Sequence, residues 1–189
     1  EGDSAVVELW RSAGGWPARL SVESEIPIGV GMSSSAALCL AVVLCVNGTM
    51  DAQDACKEAQ RIEHEVLKTP CGLLDQMAMM YAKEGSATLI DFSNHSTESI
   101  ELPSTWLFKL VDSGIHRELG EAYQGSADSE IRLEHVKSEN LRVRTSLRTS
   151  VSSLGILLNE SHASLQTLGV SLPDIDEQVR KLQQTDGVY

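Results

Sequence analysis

Between Pro27 and Ala37 the chain reads Pro-Ile-Gly-Val-Gly-Met-Ser-Ser-Ser-Ala-Ala, a glycine turn and three consecutive hydroxyls ahead of an apolar run. A glycine-rich turn feeding a helix N-terminus presents free N–H groups and the positive end of the helix dipole, which together make an anion site. Gly29 and Gly31 supply the turn. Ser33, Ser34 and Ser35 can donate to phosphate oxygens, and one of them could also ligate a divalent cation. Ala36 and Ala37 let the helix pack closely behind the loop. Plain N-capping is the alternative, but it needs one serine rather than three. The lysine-bearing phosphate loop GxxxxGK[ST] does not occur.

The elements around this loop follow from hydrophobic period. Residues 5–10 (AVVELW) and 18–26 (ARLSVESEI) read as strands joined by the Gly14-Gly15-Trp16-Pro17 turn. In the second of them Leu20 and Val22 alternate with Ser21 and Glu23. Pro27 and the glycines end that strand. An almost wholly apolar helix follows the serines until Asn47-Gly48, and a helix of that kind belongs inside the structure. Residues 52–68 form an amphipathic helix: Ala55, Ala59, Ile62 and Val66 make its stripe, Lys57, Glu58 and Arg61 lie off it, and Glu63 falls at its edge. Thr69-Pro70 ends that helix and another starts around Leu73. Strand-like stretches follow at 86–92, 97–102 and 106–112, then helices at about 128–148, 151–168 and 174–184. This order predicts an α+β protein of two lobes, 1–103 and 104–189, divided near Pro103.

Composition narrows the classes. The 189 residues are 42% apolar and 22% charged, an ordinary globular balance. With 15 basic against 27 acidic side chains the formal net charge is −12, which argues against a nucleic-acid partner. Cys39, Cys45, Cys56 and Cys71 show no CxxC pair and no metal-finger spacing, and fit a reducing cytoplasm. The longest apolar run, Ala36 to Val46, is 11 residues, against the about 18 of a membrane span. No signal peptide opens the chain, so the sequence predicts a soluble, cytoplasmic protein without a membrane partner. His64, His116, His135 and His162 show no paired metal spacing, and His95, in its Asn-His-Ser loop, reads as solvent-exposed. Cys71 has no histidine partner indicated by the sequence and reads as packing.

The loop PIGVGMSSSAA resembles the second motif of the GHMP small-molecule kinases, P-x-x-x-G-L-S/G-S-S-A, with Met32 in the leucine position. Residues 63–76, EHEVLKTPCGLLDQ, are similar to the galactokinase stretch E-x-E-x-x-x-G-x-P-C-G-I-M-D-Q. VDSGIHREL followed by Tyr123 resembles the opening of the galactokinase C-terminal lobe. HVKSENLRV, NESHASL and VSLPDIDEQV look like galactokinase helices, so the resemblance runs over most of the chain.

The resemblance implies a two-lobed GHMP fold in part: a ribosomal S5 domain 2-like N-lobe and a ferredoxin-like helical C-lobe. It implies transfer of the ATP γ-phosphoryl group to a sugar, at the C1 hydroxyl of galactose if the likeness extends to substrate. Asp75 matches the general base. Glu63, 12 residues earlier, matches the magnesium-ligating glutamate, which works with a motif serine such as Ser35. Gly29, Gly31, Ser33, Ser34 and Ser35 would bind ATP, and Gly72, Asp75 and Tyr123 the sugar. Without the resemblance, Asp75 is an acid near a helix start, Glu63 a solvated helical glutamate, Gly72 a turn residue and Tyr123 a half-buried aromatic. A galacturonate or arabinose kinase, or a non-catalytic sugar or nucleotide sensor on the same fold, are the competing readings. The chain departs from the family pattern in three places. No G-E-H-x-D-Y motif occurs before Ala5, no M-T-G-x-G-F-G-G motif is present, and Tyr123 lies only 12 residues before His135.

Overall fold

A computed structural model describes residues 4–115 and 128–189. The chain divides into two compact units. The first takes in the described residues through Leu107, with Gly114 and Ile115; the second takes in Phe108–Ser113 and the residues from 128 to Tyr189.

The first unit opens with α1, Ser4–Ser12. The expected strand at 5–10 is therefore a helix. Val6, Leu9 and Ala13 recur at helical spacing, and Leu9 and Ala13 enter the core while Glu8 and Arg11 stay outside. Residues 18–26 form no strand: they run irregular and mostly exposed. An alternating pattern offers a face for burial but still needs a neighbouring strand for its backbone groups. Among the described residues the sheet is a two-stranded hairpin that does not include this segment.

After the glycine turn comes α2, Ser34–Asn47. Ala36, Cys39, Leu40, Val42 and Val43 are buried, whereas Ala41 and Cys45 are exposed, so the helix is covered on one side rather than all round. Asp51 caps α3, Ala52–Ile62, by accepting from the amides of Gln53 and Asp54. The α3 stripe of Ala55, Cys56, Ala59 and Ile62 packs against α2; its small side chains let the two backbones approach closely.

The helix does not stop at Ile62. It widens into a π-helical turn, Glu63–Leu67, closed by Lys68 in the left-handed conformation (φ 56°). Then α4, Leu74–Tyr81, leads into β1, Ser86–Asp91, paired antiparallel with β2, Ser96–Glu101, in the register Ser86↔Glu101 to Asp91↔Ser96. His95 sits half-buried in the hairpin turn at φ 55°, and its carbonyl accepts from Gln53 Nε2 at 2.9 Å, contrary to the expected exposed position.

The expected strand at 106–112 is irregular and mostly exposed, again without a partner strand among the described residues. In the second unit α5 (Ser129–Ser146), α6 (Val151–Leu168) and α7 (Pro173–Leu182) follow the predicted helices closely. Polar contacts join them. His135 Nδ1 lies 2.8 Å from Ser164 Oγ, Ser161 Oγ donates to Glu139 at 2.9 Å, and Gln183 Nε2 donates to Asn159 at 2.9 Å. Gly155 is buried against Tyr189, where a Cβ would stand 2.2 Å from the tyrosine Cβ.

Candidate active site

The serine loop sits at the start of α2. Gly29 and Gly31 adopt φ of 80° and 76°, the left-handed region that glycine enters without strain. Ser33 is the N-cap residue, itself at φ 55°, and its hydroxyl makes no capping bond. The first amides of α2 have no intrahelical acceptor by geometry, and no serine side chain substitutes for one. The hydroxyls of Ser33 and Ser34 have no hydrogen-bond partner among the described residues. Amides and two uncommitted hydroxyls thus share one loop, an arrangement suited to a multivalent anion.

The third hydroxyl is committed. Ser35 Oγ donates to Glu63 Oε1 at 2.7 Å, and Gln76 Nε2 donates to Glu63 Oε2 at 2.8 Å. Ser35 opens α2, Glu63 begins the π-turn and Gln76 lies in the first turn of α4, so three elements converge on one carboxylate. Glu63 is 2% exposed and Gln76 0%. The sequence places Glu63 at the edge of a stripe; the structure places it inside. The helix widens at this residue, and wider turns of this kind recur at functional sites. Glu65, further along the turn, is held from α1 and α3 by Ser12 and Arg61, while Arg61 Nη2 also donates to the Ser12 carbonyl at 2.6 Å.

The segment between the π-turn and α4 is pinned at Cys71. Its carbonyl accepts from Gln60 Nε2 at 3.0 Å, and its amide donates to His64 Nε2 at 3.1 Å. His64 therefore has a backbone role that its lone position in the sequence did not signal. Gly72 is exposed, with nothing within 4 Å of where a Cβ would stand, so space beside it is open. Asp75 is the second residue of α4; its half-buried carboxylate has no hydrogen-bond or ion-pair partner among the described residues. Tyr123 lies outside the described residues.

Burial, and next the Glu63 charge, push the Cys39 thiol up to about 12; burial and Glu63 raise that of Cys71 as well. Both sulfurs stay protonated at neutral pH and act as packing groups rather than nucleophiles or ligands.

The Ser35–Glu63 pair fits a hard divalent cation. Neighbouring oxygens of an octahedral shell with 2.0–2.1 Å bonds stand about 3 Å apart, and Ser35 Oγ lies 2.7 Å from Glu63 Oε1. A buried carboxylate met only by a hydroxyl and an amide lacks the positive charge that such burial calls for. Among the described residues no group of three or more His, Cys, Asp and Glu could cage a metal ion. Two protein oxygens suit an ion that keeps waters or ligand phosphates in its other positions. Gln76 was in plain view in the sequence but carried no signal of its own. Its Oε1 is buried without a partner, a deficit of about 1–3 kcal/mol.

Residues 4–83, which contain the serine loop, Glu63 and Asp75, match the family model described as the GHMP kinases N terminal domain. The chain belongs to the GHMP kinases. The galactokinase of Roseiflexus sp. (strain RS-1) is 27% identical over 219 residues, covering 91% of this chain and 56% of its own length. That of Thermotoga maritima is 28% identical over 211 residues, with 91% and 60% covered. A shorter match to the Chloroflexus aurantiacus galactokinase reaches 34% over 111 residues, 56% of this chain and 28% of that one. The crystal structure of Lactococcus lactis galactokinase complexed with galactose superposes with a TM-score of 0.63 at 18% identity, over 97% of this chain and 60% of that one. The GHMP fold extends through both units, and the chain spans 56–60% of the length of the first two curated relatives.

A cleft of about 790 Å³ elsewhere in this GHMP chain lies against α1 and is lined by Trp10, Arg11, Trp16 and Arg19. None of the residues considered for phosphoryl transfer lines it. Among the described residues no single helix is long and apolar enough to cross a membrane.

Proposed function

We propose that the protein carrying this chain is a cytoplasmic sugar kinase that transfers the γ-phosphoryl group of ATP to the C1 hydroxyl of galactose. The observation that carries this reading is the convergence of Ser35 and Gln76 on buried Glu63, directly below the uncommitted hydroxyls of the serine loop and one residue from Asp75. The likeness to named galactokinases over 91% of the chain supports the substrate.

In this reading Gly29, Gly31, Ser33 and Ser34 receive the ATP phosphates through backbone amides and hydroxyls. Ser35 and Glu63 hold Mg²⁺, which when bound neutralises phosphate charge. Asp75 accepts the proton of the attacking hydroxyl; with no partner of its own, its carboxylate is available to the incoming group. Gly72 lets the sugar approach the backbone, and Tyr123 belongs to the same sugar pocket. The division near Pro103 separates an N-lobe that carries the phosphate loop and the base from a C-lobe that contributes Tyr123.

The test is ADP release by the full-length protein over galactose, galacturonate and arabinose, with Asp75→Asn beside it. Galactose should give the highest kcat/KM, and Asp75→Asn should lower kcat by about 10²–10⁴-fold, the usual scale of general-base catalysis. Undiminished turnover in the variant sinks the assignment of Asp75, and no turnover on any sugar sinks the kinase reading.

A further inference from the structure

We infer that Gln76 is a positioning residue: its amide nitrogen holds the Glu63 carboxylate toward Ser35 and, through the same bond, fixes the first turn of α4 and the direction of Asp75. The inference rests on the reading of Ser35 and Glu63 as the cation pair.

Glu63 and Gln76 are the buried polar side chains among the described residues; their buried neighbours are aliphatic side chains, thiols and Met77. Packing alone would favour an apolar side chain of the same size at 76, because Gln76 leaves Oε1 buried with no partner. What the glutamine adds is the 2.8 Å bond to Glu63, with a weaker approach to Cys71 Sγ at 3.6 Å. The amide has one workable orientation. Turned over, it would set Oε1 against Glu63 Oε2, two acceptors at hydrogen-bond distance.

With Ser35 holding the other oxygen, both carboxylate oxygens are fixed from separate helices. Consecutive helical residues point about 100° apart. Holding Gln76 inward therefore sets the angle at which Asp75 leaves the same turn. Outer partners of metal-ligating groups orient their ligands in this way.

The test uses Gln76→Met in the full-length protein, with fold checked by circular dichroism and Mn²⁺ binding measured by electron paramagnetic resonance without substrates. Mn²⁺ affinity should fall about 10–100-fold and kcat by a similar factor, with the sugar KM within about twofold of wild type. A folded variant that keeps Mn²⁺ affinity within twofold and loses only thermal stability overturns the inference. Should the methionine variant fail to fold, Gln76→Glu keeps the shape and sets an acceptor against Glu63. The same loss of Mn²⁺ affinity is then expected, and its absence is equally fatal. Glu63→Gln separates the two levels. If it leaves Mn²⁺ binding unchanged, the cation reading falls and this inference with it. If it abolishes Mn²⁺ binding in a protein that phosphorylates no sugar, only the sugar-kinase reading falls, and Mn²⁺ affinity still tests Gln76.

Discussion

Glu63 is a carboxylate kept 2% exposed with neutral donors on both oxygens, so its role and its stability point in opposite directions. Glu63→Gln should fold at least as well as wild type. Its new amide can donate to Gln76 once that amide turns over, satisfying the orphaned Oε1, and a buried charge is lost. Turnover should nevertheless fall by at least about a hundredfold, about 3 kcal/mol of lost charge stabilisation. An unchanged or raised melting temperature with depressed kcat is the expected pair; full activity would show that the carboxylate's charge is not used. The thiols give a second residue-scale prediction. Cys39, pushed up to about 12 by burial and Glu63, should resist iodoacetamide at pH 8 in the native protein, whereas exposed Cys45 is alkylated first. Peptide mapping by mass spectrometry reads this directly.

Among the elements, α7 carries the clearest acid sensitivity. Arg180 donates to Glu177 through Nε and Nη2 at 2.8 and 2.6 Å, holding that carboxyl down to about 2 from an ordinary 4.5. Asp176 is lowered too, first by the Ser171 hydroxyl and then by Gln166, with His162 at 3.0 Å on α6. A group whose folded pKa is depressed stabilises the fold above its ordinary pKa, and that support fades as pH falls through the folded value. Amide exchange in α7 should therefore accelerate between about pH 4.5 and about pH 2, less steeply in Glu177→Gln and at high salt. Elements also show what the sequence could and could not convey. The helices from 129 to 182 and the hairpin were legible because period and turn residues agreed. Residues 18–26 have a strand's alternation, but strand formation depends on a neighbour, which local pattern does not report. AVVELW misled because β-branched residues outweighed the Val6–Leu9–Ala13 spacing. Glu63 and Asp75 were legible by motif, whereas the bond from Gln76 to Glu63 spans 13 residues and leaves no trace in either neighbourhood.

Over the whole molecule, apolar burial is uneven. The first unit has a core of Leu9, Leu40, Val42, Val43 and Ile62, while the second buries Gly155 and no large apolar side chain among its described residues. α5 meets α6 with His135, Glu139 and Arg142 and leaves Leu133, Val136, Val143 and Leu147 exposed along another face. Such a stripe is the face a helix ordinarily covers. The 189 residues expressed alone should bind an apolar dye such as ANS and melt broadly, and the full-length protein should do neither. A sharp, dye-free transition of the 189-residue chain would contradict this.

The widened turn from Glu63 to Leu67 also makes a genetic forecast. It takes one more residue than an α-helical turn, so removing any single residue from 64–67 would let the chain close as an ordinary helix. Everything after it would then rotate by about 100° relative to α3, carrying the Cys71 anchor and α4 away from Glu63. In a scan of every point change and single-codon deletion, this stretch should accept many replacements at its exposed positions and almost no shortening. Its information lies in how many residues it has more than in which ones they are.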